Sequence, residues 1–140
     1  MINLFVLAFL HIGDTVLLIH RTGTNFGNGL YGLVGGKVEQ GETALQAIRR
    51  EIREEVAIDL PESAFQLVHT LHRKGTETEF ISLTFSASLE NQEAPRNNEP
   101  EKHDDVRFFK VDQLPATIIP AHRQIIEHIL QNSIYSQHGW

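Results

Sequence analysis

The sequence predicts an α/β sandwich in which a mixed central sheet lies between two helices. Three observations lead there. The opening segment MINLFVLAFLHI is apolar at successive positions, as a strand buried on both faces must be. A strongly periodic helical pattern follows over residues 43–56, and a second apolar stripe near the end of the chain supplies a helix for the other face. At 140 residues and 41% hydrophobic composition, the chain reads as a single domain over residues 1–140 with a core of its own.

Taken in order, residues 2–11 and 15–20 flank Gly13-Asp14 and read as a hairpin. The opening segment has no basic flank or small-residue cleavage site and is too short to span a bilayer. The expectation is therefore a cytoplasmic protein with no membrane association. Residues 22–29, TGTNFGNG, form a loop, and residues 30–34 a short strand feeding a glycine turn at Gly35-Gly36. Arg21 and Lys37 stand on either side of this region, each either a surface cation or a contact for a phosphate chain.

Thr43 and Gln46 form the pattern of a capping box, which starts the helix. Ala44, Leu45, Ile48, Ile52 and Val56 give it one apolar stripe. Pro61-Glu62-Ser63 breaks the pattern, and residues 66–73 and 79–89 read as strands around Lys74-Gly75-Thr76. In the second strand Ile81, Leu83, Phe85, Ala87 and Leu89 alternate with a polar set, Ser82, Thr84, Ser86 and Ser88, that lines a cleft floor or meets solvent. Residues 90–105 are nearly devoid of apolar side chains and too long for a routine connector, so they are mobile or functional. A last strand is expected over 106–111, then a helix opening near Pro120 with Ile125, Ile126, Ile129 and Leu130 buried and His122 and His128 on its surface. Residues 135–140 carry no readable chemistry; Trp140 packs on the body or on a second subunit.

The absence of cysteine excludes a disulfide framework, a zinc–thiolate site and a thiol nucleophile. A net charge of −6 argues against a nucleic-acid surface working through net charge, though not against a phosphate substrate once divalent cations reverse the local sign.

The chemistry concentrates in GGKVEQGETALQAIRREIREEVAI, residues 35–58. Glu51, Glu54 and Glu55 are spaced i, i+3, i+4 and share one helix face bordering the apolar stripe. Like charges at that spacing cost roughly 0.2–0.5 kcal/mol per pair, and the nearby helix C-terminus disfavours anions by a further ~0.3–1 kcal/mol. A solvated acidic face relieved by Arg49, Arg50 and Arg53 is one explanation. The border with the apolar stripe and the upstream glycines favour the other, a site for a hard divalent cation, Mg²⁺ or Mn²⁺.

Gly36, Glu42, Arg50, Glu51, Ile52, Glu54, Glu55 and Ile58 fall in the register of the Nudix signature G-x5-E-x7-R-E-U-x-E-E-x-G-U, where U is aliphatic. The chain thus resembles the Nudix hydrolase superfamily, with Ala57 in place of the usual glycine as the one departure. The resemblance implies the Nudix-type α/β/α sandwich and a metal-dependent hydrolase of a nucleotide diphosphate linkage. It implies Glu51, Glu54, Glu55 and the Gly36 carbonyl as metal ligands, with Glu51 also the base. Glu42 and Arg50 would form an ion pair that locks the signature and orients Glu51. The loop at 90–105 would add Glu101 as a metal ligand and Glu99 as a substrate contact. The Ala57 departure puts the geometry of the helix exit in question, since a left-handed alanine costs ~1–2 kcal/mol.

The implied substrate is a small-molecule nucleotide, with no nucleic acid partner, bound by a monomer or homodimer. The leading reading is a nucleoside triphosphate pyrophosphohydrolase releasing pyrophosphate. A hydrolase of nucleoside diphosphates joined to a sugar or other group is second, and a non-catalytic domain that binds a phosphorylated ligand is a third reading of another class. Phe26, Tyr31, His72 and Phe80 are candidates to stack on a base.

Overall fold

A computed structural model describes all residues 1–140. The strands are β1 (Ile2–Ile12), β2 (Thr15–Arg21), β3 (Tyr31–Gly32), β4 (Val34–Lys37), β5 (Gln66–Lys74), β6 (Glu79–Ser88), β7 (His103–Lys110) and β8 (Tyr135–His138). The helices are α1 (Ala44–Val56) and α2 (Pro120–Leu130). All eight strands belong to one mixed sheet whose main path runs β3-β2-β1-β6-β5-β8, with β4 also on β1 and β7 also on β2. The β1–β6 and β5–β8 pairs are parallel, and the other named pairs are antiparallel.

The unbroken apolar run of β1 has the expected cause. Val6, Ala8 and Leu10 enter a core beneath α1, with Leu17, Ile19, Ile48 and Ile52. Leu7 and Phe9 enter a second core beneath α2, with Val16, Leu18, Ile125 and Ile126. The period of two thus serves two cores, and the sheet is buried on both sides.

The capping box of α1 is present: the Gln46 N–H donates to Thr43 Oγ1 at 3.1 Å and the Thr43 N–H to Gln46 Oε1 at 2.8 Å. Its exit is left-handed at Ala57, with φ 60° and ψ 38°, the strained conformation that glycine would relieve.

Several expectations change. Gly35 and Gly36 are not a turn but part of β4, opposite Leu7 and Val6 of β1. Only glycine permits that approach at residue 35, where a Cβ would fall 2.1 Å from the Val6 carbonyl oxygen. The final long strand starts at His103, within the segment expected to be a loop. The remaining connector is held fast at the end of α1: the Arg96 and Asn98 N–H groups donate to the Val56 and Glu55 carbonyls, both at 3.0 Å. Asn98 Nδ2 donates to the Glu54 carbonyl at 3.1 Å, and His103 Nε2 to that of Glu55, also at 3.1 Å. These bonds satisfy the orphan carbonyls of a helix end, so polar composition there reflects capping work.

His122 is buried, against the expectation of a helix-surface residue. The C-terminal tail adds the short strand β8 alongside β5. Trp140 packs on the body, its Nε1 donating to the His72 carbonyl at 3.1 Å. No helix is long and apolar enough to cross a membrane.

Candidate active site

The stripe of α1 faces the sheet, so its acidic face lies against β4. Glu55 is buried, and its Oε2 accepts the Gly35 N–H at 3.0 Å. Glu51 lies against Gly36 so closely that a Cβ there would come 2.3 Å from Oε1. Burial raises the Glu55 pKa well above the usual carboxylate range; the neighbouring Glu51 adds to this, while the Gly35 hydrogen bond and the Arg21 charge oppose it. Burial likewise raises Glu51, against the pull of Arg50. Glu54 is half exposed.

Of the three arginines on α1, only Arg50 meets these acids. Arg49 and Arg53 turn to Asp59, at 3.4 and 3.6 Å. Arg50 grips Glu42 through two bonds, Nη2 to Oε1 at 2.7 Å and Nε to Oε2 at 3.1 Å. Its Nη1 donates to Glu51 Oε1 at 2.9 Å and Glu54 Oε2 at 3.3 Å, and its Nη2 also reaches the Lys37 carbonyl at 3.2 Å. The hydrogen bonds from Arg50 hold the Glu42 pKa down, and the same bond raises that of Arg50. The ion pair expected from the signature is therefore formed, and it ties the segment before the helix to Glu51.

The loop acids divide unevenly. Glu99 is partly buried, bonds Lys102 at 3.3 Å, and its charge helps to raise both Glu51 and Glu55. Glu101, the residue expected to bind metal, is exposed and makes no side-chain hydrogen bond or ion pair. Lys37 is exposed at the end of β4. His103, buried against the Glu55 carbonyl, is a helix cap.

A cleft of about 580 Å³ opens against the same two glycines. Phe5, Leu7, Phe26, Leu33 and Phe80 give it apolar walls, and Arg21, Arg73, Ser82 and His122 supply polar groups. Phe5 and Phe80 meet edge to face at 5.4 Å. Of the four rings considered for base stacking, Phe26 and Phe80 line the cleft. Tyr31 instead donates to Asp105 at 2.6 Å, and His72 packs on Trp140. Ser82 meets the cleft while Thr84, on the same polar face of β6, is fully buried. Arg73 and His122 were not singled out as site residues; each comes from an element remote in sequence from the glutamates, and neither belongs to a local pattern. An arginine closing a predicted strand was the one sequence signal available for Arg73.

The sequence matches the NUDIX domain over residues 3–129. Among curated relatives, the NAD-capped RNA hydrolase NudC of Stutzerimonas stutzeri (strain A1501) is 30% identical over 125 residues, covering 85% of this chain and 40% of that protein. The oxidized purine nucleoside triphosphate hydrolase of Danio rerio is 36% identical over 94 residues, covering 64% of this chain and 55% of that protein. The chain thus spans about two fifths of the length of the NudC relatives it matches. Among solved structures, the MutT NUDIX hydrolase from Burkholderia pseudomallei superposes with a TM-score of 0.82 at 27% identity, over 91% of this chain and 97% of that one. A bifunctional NMN adenylyltransferase/ADP ribose pyrophosphatase from Francisella tularensis, complexed with AMP and a Mn ion, gives 0.74 at 25% identity, over 94% of this chain and 42% of that one. With the domain matched along almost its whole length and the sandwich shared with these structures, the chain belongs to the Nudix hydrolase family.

Proposed function

We propose that the protein hydrolyses a diphosphate linkage of a nucleotide with the help of a divalent cation, and that its substrate is a nucleoside triphosphate cleaved to the monophosphate and pyrophosphate. One observation carries this reading: the glutamates of α1 and the aromatic cleft meet at the same backbone, Gly35-Gly36. A nucleotide lodged in the cleft against Phe26 and Phe80 would present its phosphates to that shared edge.

The donor set suits Mg²⁺ or Mn²⁺. Glu51, Glu54, Glu55 and the Gly36 carbonyl are all hard oxygen ligands, and burial leaves Glu51 and Glu55 short of positive charge. No three acidic or histidine side chains converge into a ready-made cage, and Arg50 occupies oxygens of both Glu51 and Glu54. Binding through some retained water, which Mg²⁺ favours, accommodates that spacing. Such a cation, when bound, offsets the charge of the diphosphate and lowers the pKa of a coordinated water.

The chain's own residues do the rest. Glu51, held by Arg50, accepts the proton of the attacking water. Glu42 and Arg50 are positioning residues that fix the Glu51 carboxylate. Arg21 and Lys37 attract the phosphate chain. Glu99, an anion beside Glu51 and Glu55, fits a ligand or base role better than contact with phosphate oxygens, and Glu101 drops out of the ligand set.

A nucleoside diphosphate joined to another group is the second reading, favoured by the NudC relatives named for NAD-capped RNA; an RNA-linked nucleotide therefore belongs in the substrate panel. The Danio rerio relative, named for a nucleoside triphosphate, favours the first. Phosphorus NMR of the products separates them, since pyrophosphate appears only with the triphosphate. A panel of nucleotides left uncleaved with Mg²⁺ and with Mn²⁺ would leave a ligand-binding domain as the surviving reading.

A further inference from the structure

Arg21 and Arg73 flank one ring. Their Cζ atoms lie 5.9 and 4.9 Å from the centroid of Phe26, and both line the cleft. Both are partly buried, yet neither has a carboxylate partner, although the chain has 18 acidic residues for 12 lysines and arginines. Arg21 Nε is engaged by the Phe26 carbonyl at 2.9 Å, whereas the Arg73 side chain makes no hydrogen bond to protein. Removing a guanidinium from water without a counter-charge is unfavourable, and burial accordingly depresses the Arg73 pKa. Stacking on Phe26 supplies part of the compensation, but leaves the N–H fork of Arg73 facing the cleft with no protein acceptor.

The third polar group completes the pattern. His122 is only 7% exposed, and its Nδ1 accepts the Leu33 N–H at 3.0 Å. The ring proton therefore sits on Nε2, which has no protein partner. The imidazole stays neutral beside the two arginines and offers the cleft a further donor. The one carboxylate on the lining, Glu77, is exposed and pairs with neither arginine. Three donors beside an aromatic wall select a ligand that joins a flat ring to an anion rich in acceptor oxygens.

We propose that Arg73, acting with Arg21 around Phe26, anchors a phosphate group of a nucleotide inside the cleft. This rests on the reading of the cleft as the nucleotide site, but not on hydrolysis. Arg73 is then a substrate-binding residue outside the signature, and His122 Nε2 donates to the same ligand.

The test uses the full chain in EDTA, so that no cation contributes. AMP and adenosine are titrated calorimetrically into the wild type, Arg73→Gln and Arg73→Lys, with thermal unfolding to confirm that each variant is folded. AMP is expected to bind roughly tenfold or more tighter than adenosine. Arg73→Gln weakens AMP by roughly 10- to 100-fold, as loss of a charge-assisted hydrogen bond does, and leaves adenosine unchanged. Arg73→Lys recovers part of the loss by keeping the charge without the fork. Equal affinity for AMP and adenosine, or an Arg73→Gln variant that binds AMP like the wild type, overturns the proposal. If the phosphate preference holds while no nucleotide is cleaved with Mg²⁺, the hydrolase reading fails and the anchor stands.

Discussion

Adjacent glycines in β4 respond to the same substitution in opposite ways. In Gly36→Ala the new Cβ would stand 2.3, 2.6 and 2.9 Å from Glu51 Oε1, Cδ and Oε2. These atoms end a flexible side chain, so the fold escapes by swinging the carboxylate aside. The stability cost is that of one weakened hydrogen bond to Arg50, about 1 kcal/mol, or roughly 3–5 °C in Tm for a chain of this size. On the proposed role of Glu51, turnover suffers far more, because a catalytic group displaced by about 1 Å loses on the order of 100-fold. In Gly35→Ala the Cβ would stand 2.1 Å from the Val6 carbonyl oxygen and 2.9 Å from Leu7 Cα. Backbone of a central strand cannot yield in that way, so the cost falls on folding, about 3 kcal/mol or more. Urea unfolding and Mg²⁺-dependent turnover of a nucleoside triphosphate, followed by released pyrophosphate, measure both quantities. A Gly36→Ala variant within twofold of wild-type activity, or a Gly35→Ala variant of wild-type stability, would refute the account of how β4 meets α1.

Glu54→Gln should lower Mg²⁺-dependent turnover by orders of magnitude while leaving the unfolding midpoint unchanged, since Glu54 is half exposed; near-normal activity would remove Glu54 from the mechanism. Ala57→Gly should raise stability by about 0.5–1 kcal/mol, the relief of a left-handed alanine less the entropy of glycine; a loss in urea unfolding would show that the exit is not strained. Burial, with the Arg21 and Arg73 charges, lowers the His122 pKa from 6.5 to about 3. Between those values the unfolded chain binds a proton that the folded chain does not, so the stability His122 contributes above pH 6.5 is lost as pH falls, by up to ~1.4 kcal/mol per unit. Glu51 and Glu55, raised in the folded state, act in the opposite sense above about pH 4.5. Unfolding of wild type and His122→Gln at pH 7 and pH 5 cancels that shared part, and the wild type should lose more; parallel losses would mean that His122 is not held neutral.

Local pattern revealed much of this molecule. The doubly buried β1, the capping box at Thr43 and the acidic face of α1 follow from spacing within short windows, and the Glu42–Arg50 pair from the resemblance to the Nudix signature. What escaped depends on contacts between distant segments. Residues 103–105 read as loop because nothing in their composition shows that they pair with β2 and seal the end of α1. The short strand β8, YSQH, has no apolar alternation, and it exists because β5 offers it an edge. Gly35 and Gly36 suggested a turn because their use in a strand depends on what approaches from β1 and α1. The cleft draws Phe5, Phe26, Arg73, Phe80 and His122 from separate stretches of chain, so no motif could announce it. Glu99 and Glu101 are indistinguishable in a polar run; only the folded path turns one toward the helix.

The way the connector fastens onto the last carbonyls of α1 has a bearing on how such a molecule can diversify. Asn98 and His103 hold the backbone of Glu54 and Glu55 themselves, so whatever grips or reshapes that segment tugs on two acids of the α1 face. Lengthening it by a residue or docking a neighbour onto it would shift these glutamates without touching the signature. The connector thereby becomes a handle on the acidic face of α1.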